Sequence, residues 1–446
     1  MFLLILSAIL GFQTVAQQPD LVQRLEQVAT LIRENRLTEA EKELAPIARA
    51  APGAPATTNL LGTIRAKQGR LNEAEALFLQ AVRKDDKFTG ARLNLAYLYL
   101  LKREHQKAIF QLREVLRLEP DNAEAADKLA ELLFADGHFD ECISVIEKQR
   151  QSRALSPELL VMLGDAYFAK GAATEAEQLY LLALEGRLDN AGALLGLAQI
   201  SRAKGELREA SLYITRVATL TADSKSPEFL YKFALIAISV GMIDPAKDAL
   251  ERTLKMRPND PSFLLALGIA WLRRGDLFES EKIFRRVIEL QPNNARGQLH
   301  LGYVLLNQKK YGEARVWLEK SAQSNNSIPE VFYYLGLVAQ EQNDDARAIA
   351  LFEKTVQKLP NYVHARVALG SSYMKLKDYT RAQQELETAV KIDPDEPKAH
   401  YNLALLYARL KDTARAQEEM RIIEKLKAKG VTPDSGVVVL PPTSPP

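Results

Sequence analysis

Cysteine is almost missing from this chain: Cys142 is the only one in 446 residues. A single thiol excludes an intrachain disulfide and a thiolate metal cluster. Histidine is scarce as well. His105, His138, His300, His364 and His400 are scattered, and none stands at a metal-ligand spacing such as HExxH. No charge of one sign prevails, because the formal net charge is only +2. Residues 21–224 hold 27 basic and 29 acidic side chains, and residues 225–430 hold 32 and 26. So mild a skew argues against a nucleic-acid or anionic-membrane binder, which needs a basic excess. There is no glycine-rich phosphate loop and no GxSxG elbow. Nothing here calls for a cofactor.

Long hydrophobic runs are lacking too, apart from one at the start, "MFLLILSAILGFQTVAQQPD". Its apolar stretch, Phe2–Phe12, is too short for a bilayer core, which takes about 20 helical residues. The stretch fits the apolar region of a secretory signal, with small residues before a cleavage point after Ala16, although no Lys or Arg precedes it. Residues 1–16 are therefore expected to be a signal peptide, and the protein to be exported to a periplasm, cell envelope or exterior. Left uncleaved, the same segment would be a membrane anchor.

What the chain has in abundance is repetition. Residues 95–120, "LAYLYLLKREHQKAIFQLREVLRLEP", are echoed in pattern by residues 267–292 and 369–394. A period of 34 aligns units that start at residues 21, 55, 89, 123, 157 and 191. After two extra residues, Lys225-Ser226, six more start at residues 227, 261, 295, 329, 363 and 397. The twentieth residue is Ala in ten units, and Cys142 or Ser280 in the other two. The eighth is Gly or Ala in eleven, a large apolar residue recurs at the twenty-fourth, and Pro closes six units. Apolar residues 3–4 apart give the helical period. Polar breaks such as "KQGRLNE" and "RRGDLFE" carry a Gly suited to ending a helix. Each unit thus reads as two antiparallel helices. Small residues let their backbones approach, and Pro stops the second helix. One hairpin cannot bury its own apolar face, so the units must stack.

The pattern resembles the tetratricopeptide repeat family. Leu163-Gly164 with Tyr167, Ala176, Tyr180 and Ala183 carries the likeness, as does Leu369-Gly370 with Tyr373, Ala382, Ala389 and Pro394. It covers residues 21–430 and is weakest in the first unit, where Gln27-Val28 replaces Leu-Gly. The resemblance implies an all-α, right-handed superhelical solenoid of stacked hairpins, serving as a non-catalytic scaffold for a protein or peptide partner. The organisation expected is six hairpins in residues 17–224, an insertion and hinge at 225–226, six more hairpins in 227–430, and a proline-rich tail in 431–446. The tail either hangs in solvent or docks in a groove. The charged last helix, "QEEMRIIEKLKAKG", would suit a terminal cap.

In this family the first helix of each unit lines the groove, and its second, fifth, sixth, ninth and twelfth residues face inward. Carried over, that geometry makes Tyr231, Leu265, Arg296, Leu299, His300, Tyr303, Tyr333 and Leu337 candidate partner contacts, with packing between repeats as the competing account. Glu124, Asp127, Glu131, Glu158 and Asp165 form a candidate acidic patch within residues 123–190, which hold 13 acidic and 6 basic residues. Its alternatives are a solvated face and a site for a basic segment. Some members capture a terminal carboxylate, but Ala266 and Ala368 stand where that would need Asn. A ladder of groove asparagines fails likewise, since Asn94 and Asn402 stand alone in their column. Other roles in view are an accessory subunit of a polysaccharide or pilus assembly, and glycan binding on tyrosine rings. Cys142, in a packed small-residue column, is expected to be a structural thiol.

Overall fold

The computed structural model describes residues 19–324 and 328–429. The expected signal segment and the proline-rich tail lie outside the described residues. All regular structure among the described residues is α-helical, with no strand. The described residues divide into two compact units, the first ending at Lys204 and the second beginning at Gly205.

The first unit opens with α1 (Pro19–Arg33), α2 (Leu37–Ala50), α3 (Pro55–Lys67) and α4 (Leu71–Lys84). It continues with α5 (Thr89–Leu101), α6 (His105–Leu118), α7 (Ala123–Ala135) and α8 (Phe139–Ser152). α9 (Pro157–Ala169), α10 (Ala173–Gly186) and α11 (Ala191–Ala203) complete it. The second unit begins with α12 (Leu207–Leu220), α13 (Pro227–Ser239), α14 (Ile243–Met256), α15 (Pro261–Arg273) and α16 (Leu277–Leu290). α17 (Ala295–Asn307), α18 (Tyr311–Ser324), α19 (Glu330–Glu341) and α20 (Asp345–Lys358) follow. It ends with α21 (Val363–Lys375), α22 (Tyr379–Ile392), α23 (Pro397–Arg409) and α24 (Thr413–Ala428). Ten of the twelve first helices start on the first residue of a 34-residue unit, and every second helix starts on its seventeenth.

Local chemistry sets these boundaries. Asn122, Ser156, Asn190, Asp260 and Asn294 each accept a hydrogen bond from a backbone N–H in the first turn of the helix they precede. The fifteenth residue of every unit has positive φ, between 59° and 88°, from Asn35 to Lys411. Six of these are Gly, and the others are Asn, Arg or Lys. At Gly69 the left-handed residue lets Arg70 N–H reach back to Arg65 O at 2.9 Å, closing the end of α3.

The hairpins pack through the small-residue columns. A Cβ on Gly62 would lie 2.6 Å from the Phe78 ring, and one on Gly268 2.5 Å from Phe284. Both rings are fully buried. Where Ala96, Ala130 and Ala234 hold the eighth place, the twenty-fourth is aliphatic: Leu112, Ile146 and Leu250. The two columns share one volume. In the twentieth column, Cys142 Sγ donates to Ala130 O at 3.5 Å and Ser280 Oγ to Gly268 O at 2.9 Å. Each polar exception therefore spends its hydrogen on the eighth residue's carbonyl of the partner helix.

The extra residues Lys225-Ser226 fall in the connection between α12 and α13. Ser226 caps α13 by accepting from Phe229 N–H at 3.3 Å. The Arg252 guanidinium donates to Thr221 O at 2.9 Å and Ser224 O at 3.0 Å, tying the longer connection to α14.

Candidate functional site

The columns expected to face the groove on α13, α15, α17 and α19 carry the apolar candidate residues, and burial divides them. Leu299, His300, Tyr303 and Tyr333 are interior, between 1% and 6% exposed. Tyr231, Leu265 and Leu337 are half-buried, and Arg296 is exposed. Four of the eight therefore reach the surface, and the other four build the wall behind it.

That wall is aromatic. Tyr303 packs on Tyr334 with ring centres 5.2 Å apart, and Tyr333 meets Tyr334 at 5.4 Å. Tyr333 also abuts Tyr362 edge-on at 5.3 Å. Tyr362 sits in the connection before α21, outside the columns used for prediction. The His300 ring stacks on Phe284 at 5.2 Å. Burial, and secondarily the charge on Arg296, lowers the His300 pKa to about 4, so this imidazole is neutral at ordinary pH. Tyr231 packs against Phe263 at 5.0 Å. Burial raises the Tyr231 pKa, with Asp260 adding to the shift and Arg296 opposing it. Arg296 therefore lies close enough to act on both Tyr231 and His300, yet no hydrogen bond or ion pair engages it among the described residues.

Arg273, the thirteenth residue of its unit, was missed by the sequence reading, which stopped at the twelfth column. It is exposed, and it too has no hydrogen bond or ion pair among the described residues.

In the first unit, each acid of the candidate patch meets a partner within the chain. Glu124 accepts from the Tyr97 hydroxyl at 2.7 Å, and Asp165 from the Tyr180 hydroxyl at 2.7 Å. Asp127 pairs with Arg153, Glu131 with Lys128, and Glu158 with Arg187 at 3.6 Å. Burial raises the Asp127 pKa against the opposing Arg153 charge. Glu131 and Glu158 are the exposed members. Asn94 is not solitary in space: its Nδ2 donates to Asn59 Oδ1 at 2.9 Å in the interior. Sequence columns separated the two because Asn59 is a fifth residue and Asn94 a sixth. Cys142 is fully buried, and burial pushes its thiol pKa up to about 11.

Among the described residues, no group of His, Cys, Asp and Glu could hold a metal ion, and no helix is long and apolar enough to cross a membrane. The tetratricopeptide repeat models match residues 25–87, 128–191, 231–295 and 279–329, and further ones match 65–132 and 330–362. A TPR repeat model matches residues 370–411. The chain belongs to the tetratricopeptide repeat family. It is thus an all-α stack of helix hairpins of the protein-interaction scaffold type.

One curated relative of this tetratricopeptide repeat protein is cellulose synthase operon protein C of Xanthomonas axonopodis pv. citri (strain 306). It is 27% identical over 232 residues, which are 51% of this chain and 14% of that protein. The match thus spans a small part of the relative. Among solved structures, PilF of Pseudomonas aeruginosa aligns at 20% identity and a TM-score of 0.41, over 46% of this chain and 97% of its own. YrrB, described as a TPR protein with an unusual peptide-binding site, aligns at 19% identity and a TM-score of 0.34, over 41% and 94%. The Cut9–Hcn1 structure aligns at 13% identity and 0.47, over 93% and 95%.

Proposed function

We propose that this protein is a non-catalytic adaptor that holds a segment of a partner protein against α13, α15, α17 and α19. The observation that carries the reading is Arg296, exposed, near enough to Tyr231 to act on its ionisation and left without an internal hydrogen bond or ion pair, on helices whose residues Tyr231, Leu265 and Leu337 are half-buried. Tyr and Arg combine large contact area with polar tips and dominate interface energetics. Leu299, His300, Tyr303 and Tyr333 contribute from behind, because a packed wall lowers the ordering cost of binding. Glu131 and Glu158 offer a second contact, for a basic segment. Their present ion pairs are exposed, worth about 0–1 kcal/mol each, and exchange readily. We place the protein in the cell envelope or outside it, exported after cleavage near Ala16.

Cross-linked capture from envelope extract tests the reading, using the chain from residue 17 as bait beside Arg296→Glu and Leu337→Asp variants checked for helicity. The expected result is a protein retained by the parent bait and reduced about tenfold or more by either variant, the size of an interface hot spot. Equal capture by all three baits would remove these residues from the interface.

A second reading is an accessory part of an envelope polysaccharide assembly, favoured by the similarity to cellulose synthase operon protein C. Co-purification with a glycosyl-transferring enzyme is its expected signature. Direct glycan stacking is less well supported, because Tyr303, Tyr333 and Tyr334 are at most 6% exposed and offer no free ring face.

A further inference from the structure

The last hairpin exposes a side chain that every other hairpin buries. The twenty-fourth residue of the unit is at most 2% exposed in eleven repeats, from Leu44 to Leu386. In the twelfth it is Met420, and it is 44% exposed. In the second unit α14, α16, α18, α20 and α22 each pack on the helix that follows. Among the described residues no helix follows α24. Met420, Tyr401 and Leu405, the last two 52% and 38% exposed, line a groove of about 410 Å³ between α23 and α24. The two helices are fixed to each other from within, since His400 Nδ1 lies 2.6 Å from Glu419 Oε2. The apolar face is therefore preformed, which lowers the ordering cost of covering it.

We propose that a second copy of this chain covers the groove, with α24 laid antiparallel on α24 about a two-fold axis. Charge and polarity select this occupant. Arg421 and Glu424 line the same groove, three residues apart and of opposite sign. A two-fold axis passing between them sets each Arg421 against the partner's Glu424, whereas a parallel arrangement would set like charge on like. Both groups are available for this. Glu424 has no hydrogen bond or ion pair among the described residues. Arg421 meets only Glu418, at 3.3 Å, in an exposed pair of the kind that exchanges readily. A patch that is its own complement closes at two copies. The competing arrangement, head to tail, would lay this face on α1 of the next copy. The exposed residues there include Gln23, Glu26 and Gln27, which offer Met420 and Leu405 no apolar surface. Two α24 faces instead bury Met420, Leu405 and Tyr401 of both copies together and keep the ion pairs at the rim.

The experiment measures the mass of the full chain by sedimentation velocity over a wide range of concentration. The expected result is a monomer–dimer equilibrium with no larger species. Arg421→Glu and Glu424→Arg, each alone, bring like charges together at both contacts and are expected to weaken the dimer by about tenfold or more. The double variant restores opposite charges and should recover most of the parent's affinity. Met420→Asp should leave only monomer. All three side chains are exposed in the single chain, so helicity is expected to be unchanged, which circular dichroism checks. A monomer at every concentration would overturn the proposal, and would leave the groove to another protein or to the chain's own residues after Lys429. A dimer indifferent to these substitutions would overturn it too. So would species growing beyond two copies, the mark of head-to-tail stacking. Failure of the double variant to recover would overturn the antiparallel pairing.

Discussion

Cys142 and His300 show how burial decides the behaviour of single side chains. With its thiol pKa raised to about 11, Cys142 has little thiolate at neutral pH. It is expected to resist an aromatic disulfide reagent in the folded protein and to react fully in denaturant, which a thiol titration reads directly. Cys142→Ala should change stability by less than about 1 kcal/mol, because ten repeats already use Ala there and a single Sγ hydrogen bond is lost. His300 gives a pH dependence with a defined sign. Its folded pKa, about 4, lies below the ordinary 6.5. The unfolded chain therefore binds the proton first as the pH falls. Stability from the buried neutral imidazole is complete above pH 6.5 and declines toward pH 4, by about 1.4 kcal/mol per unit. Chemical unfolding at pH 7 and pH 5 should show a smaller difference for His300→Gln than for the parent. An equal difference would place the pH sensitivity in other groups.

The helix pair is the level at which residue choices constrain one another. Gly268→Ala would drive a Cβ to 2.5 Å from the Phe284 ring, and overpacking of this kind costs about 1–3 kcal/mol. Adding Phe284→Leu recreates the small–aliphatic pairing of Ala234 with Leu250, so the double variant should recover much of that loss. A double-mutant cycle measured by urea unfolding tests the coupling. The inter-helix turn provides an independent case. Arg103, Lys309, Lys377 and Lys411 hold the left-handed conformation without being Gly. Lys309→Gly should stabilise by up to about 1 kcal/mol, since Gly takes positive φ without steric cost. An unchanged or lowered melting temperature would mean that the lysine side chain compensates. Ion pairs join successive hairpins, Lys170–Asp140 at the surface and Lys102–Glu75 partly buried. They reinforce register more than stability.

Stacked repeats touch mainly their neighbours, so stability in such a molecule is close to a sum of hairpin and interface contributions. Hydrogen exchange should follow that logic. The α1–α2 hairpin has one hairpin neighbour among the described residues, whereas α5–α6 has two. Amides of α1 and α2 are expected to exchange faster than those of α5 and α6, as measured by mass spectrometry under native conditions. Uniform protection across the chain would indicate a single cooperative block. The Arg252 contacts to Thr221 and Ser224 bear on the proposed hinge, because they hold the one connection that carries extra residues.

The sequence by itself determined the hairpins, their 34-residue register and nearly every helix start. Those follow from local rules: helical spacing of apolar residues, capping residues, left-handed turn positions and prolines, all of which act within a few residues along the chain. It also placed Cys142 in the packed column. Only the tertiary structure decided which groove-column residues face outward. Tyr303 and Tyr333 share columns with Leu337 and Leu265, but their rings turn inward onto Tyr334 and Tyr362 and leave the leucines at the surface. The acidic candidates met partners that column positions did not show: Glu124 meets Tyr97 across two stacked hairpins, whereas Asp165 meets Tyr180 inside one hairpin and Asp127 meets Arg153 inside one 34-residue unit. A period in the sequence specifies the face of a helix on which a side chain begins. Where that side chain ends depends on the volume its neighbours leave open, and that volume is a property of the folded stack.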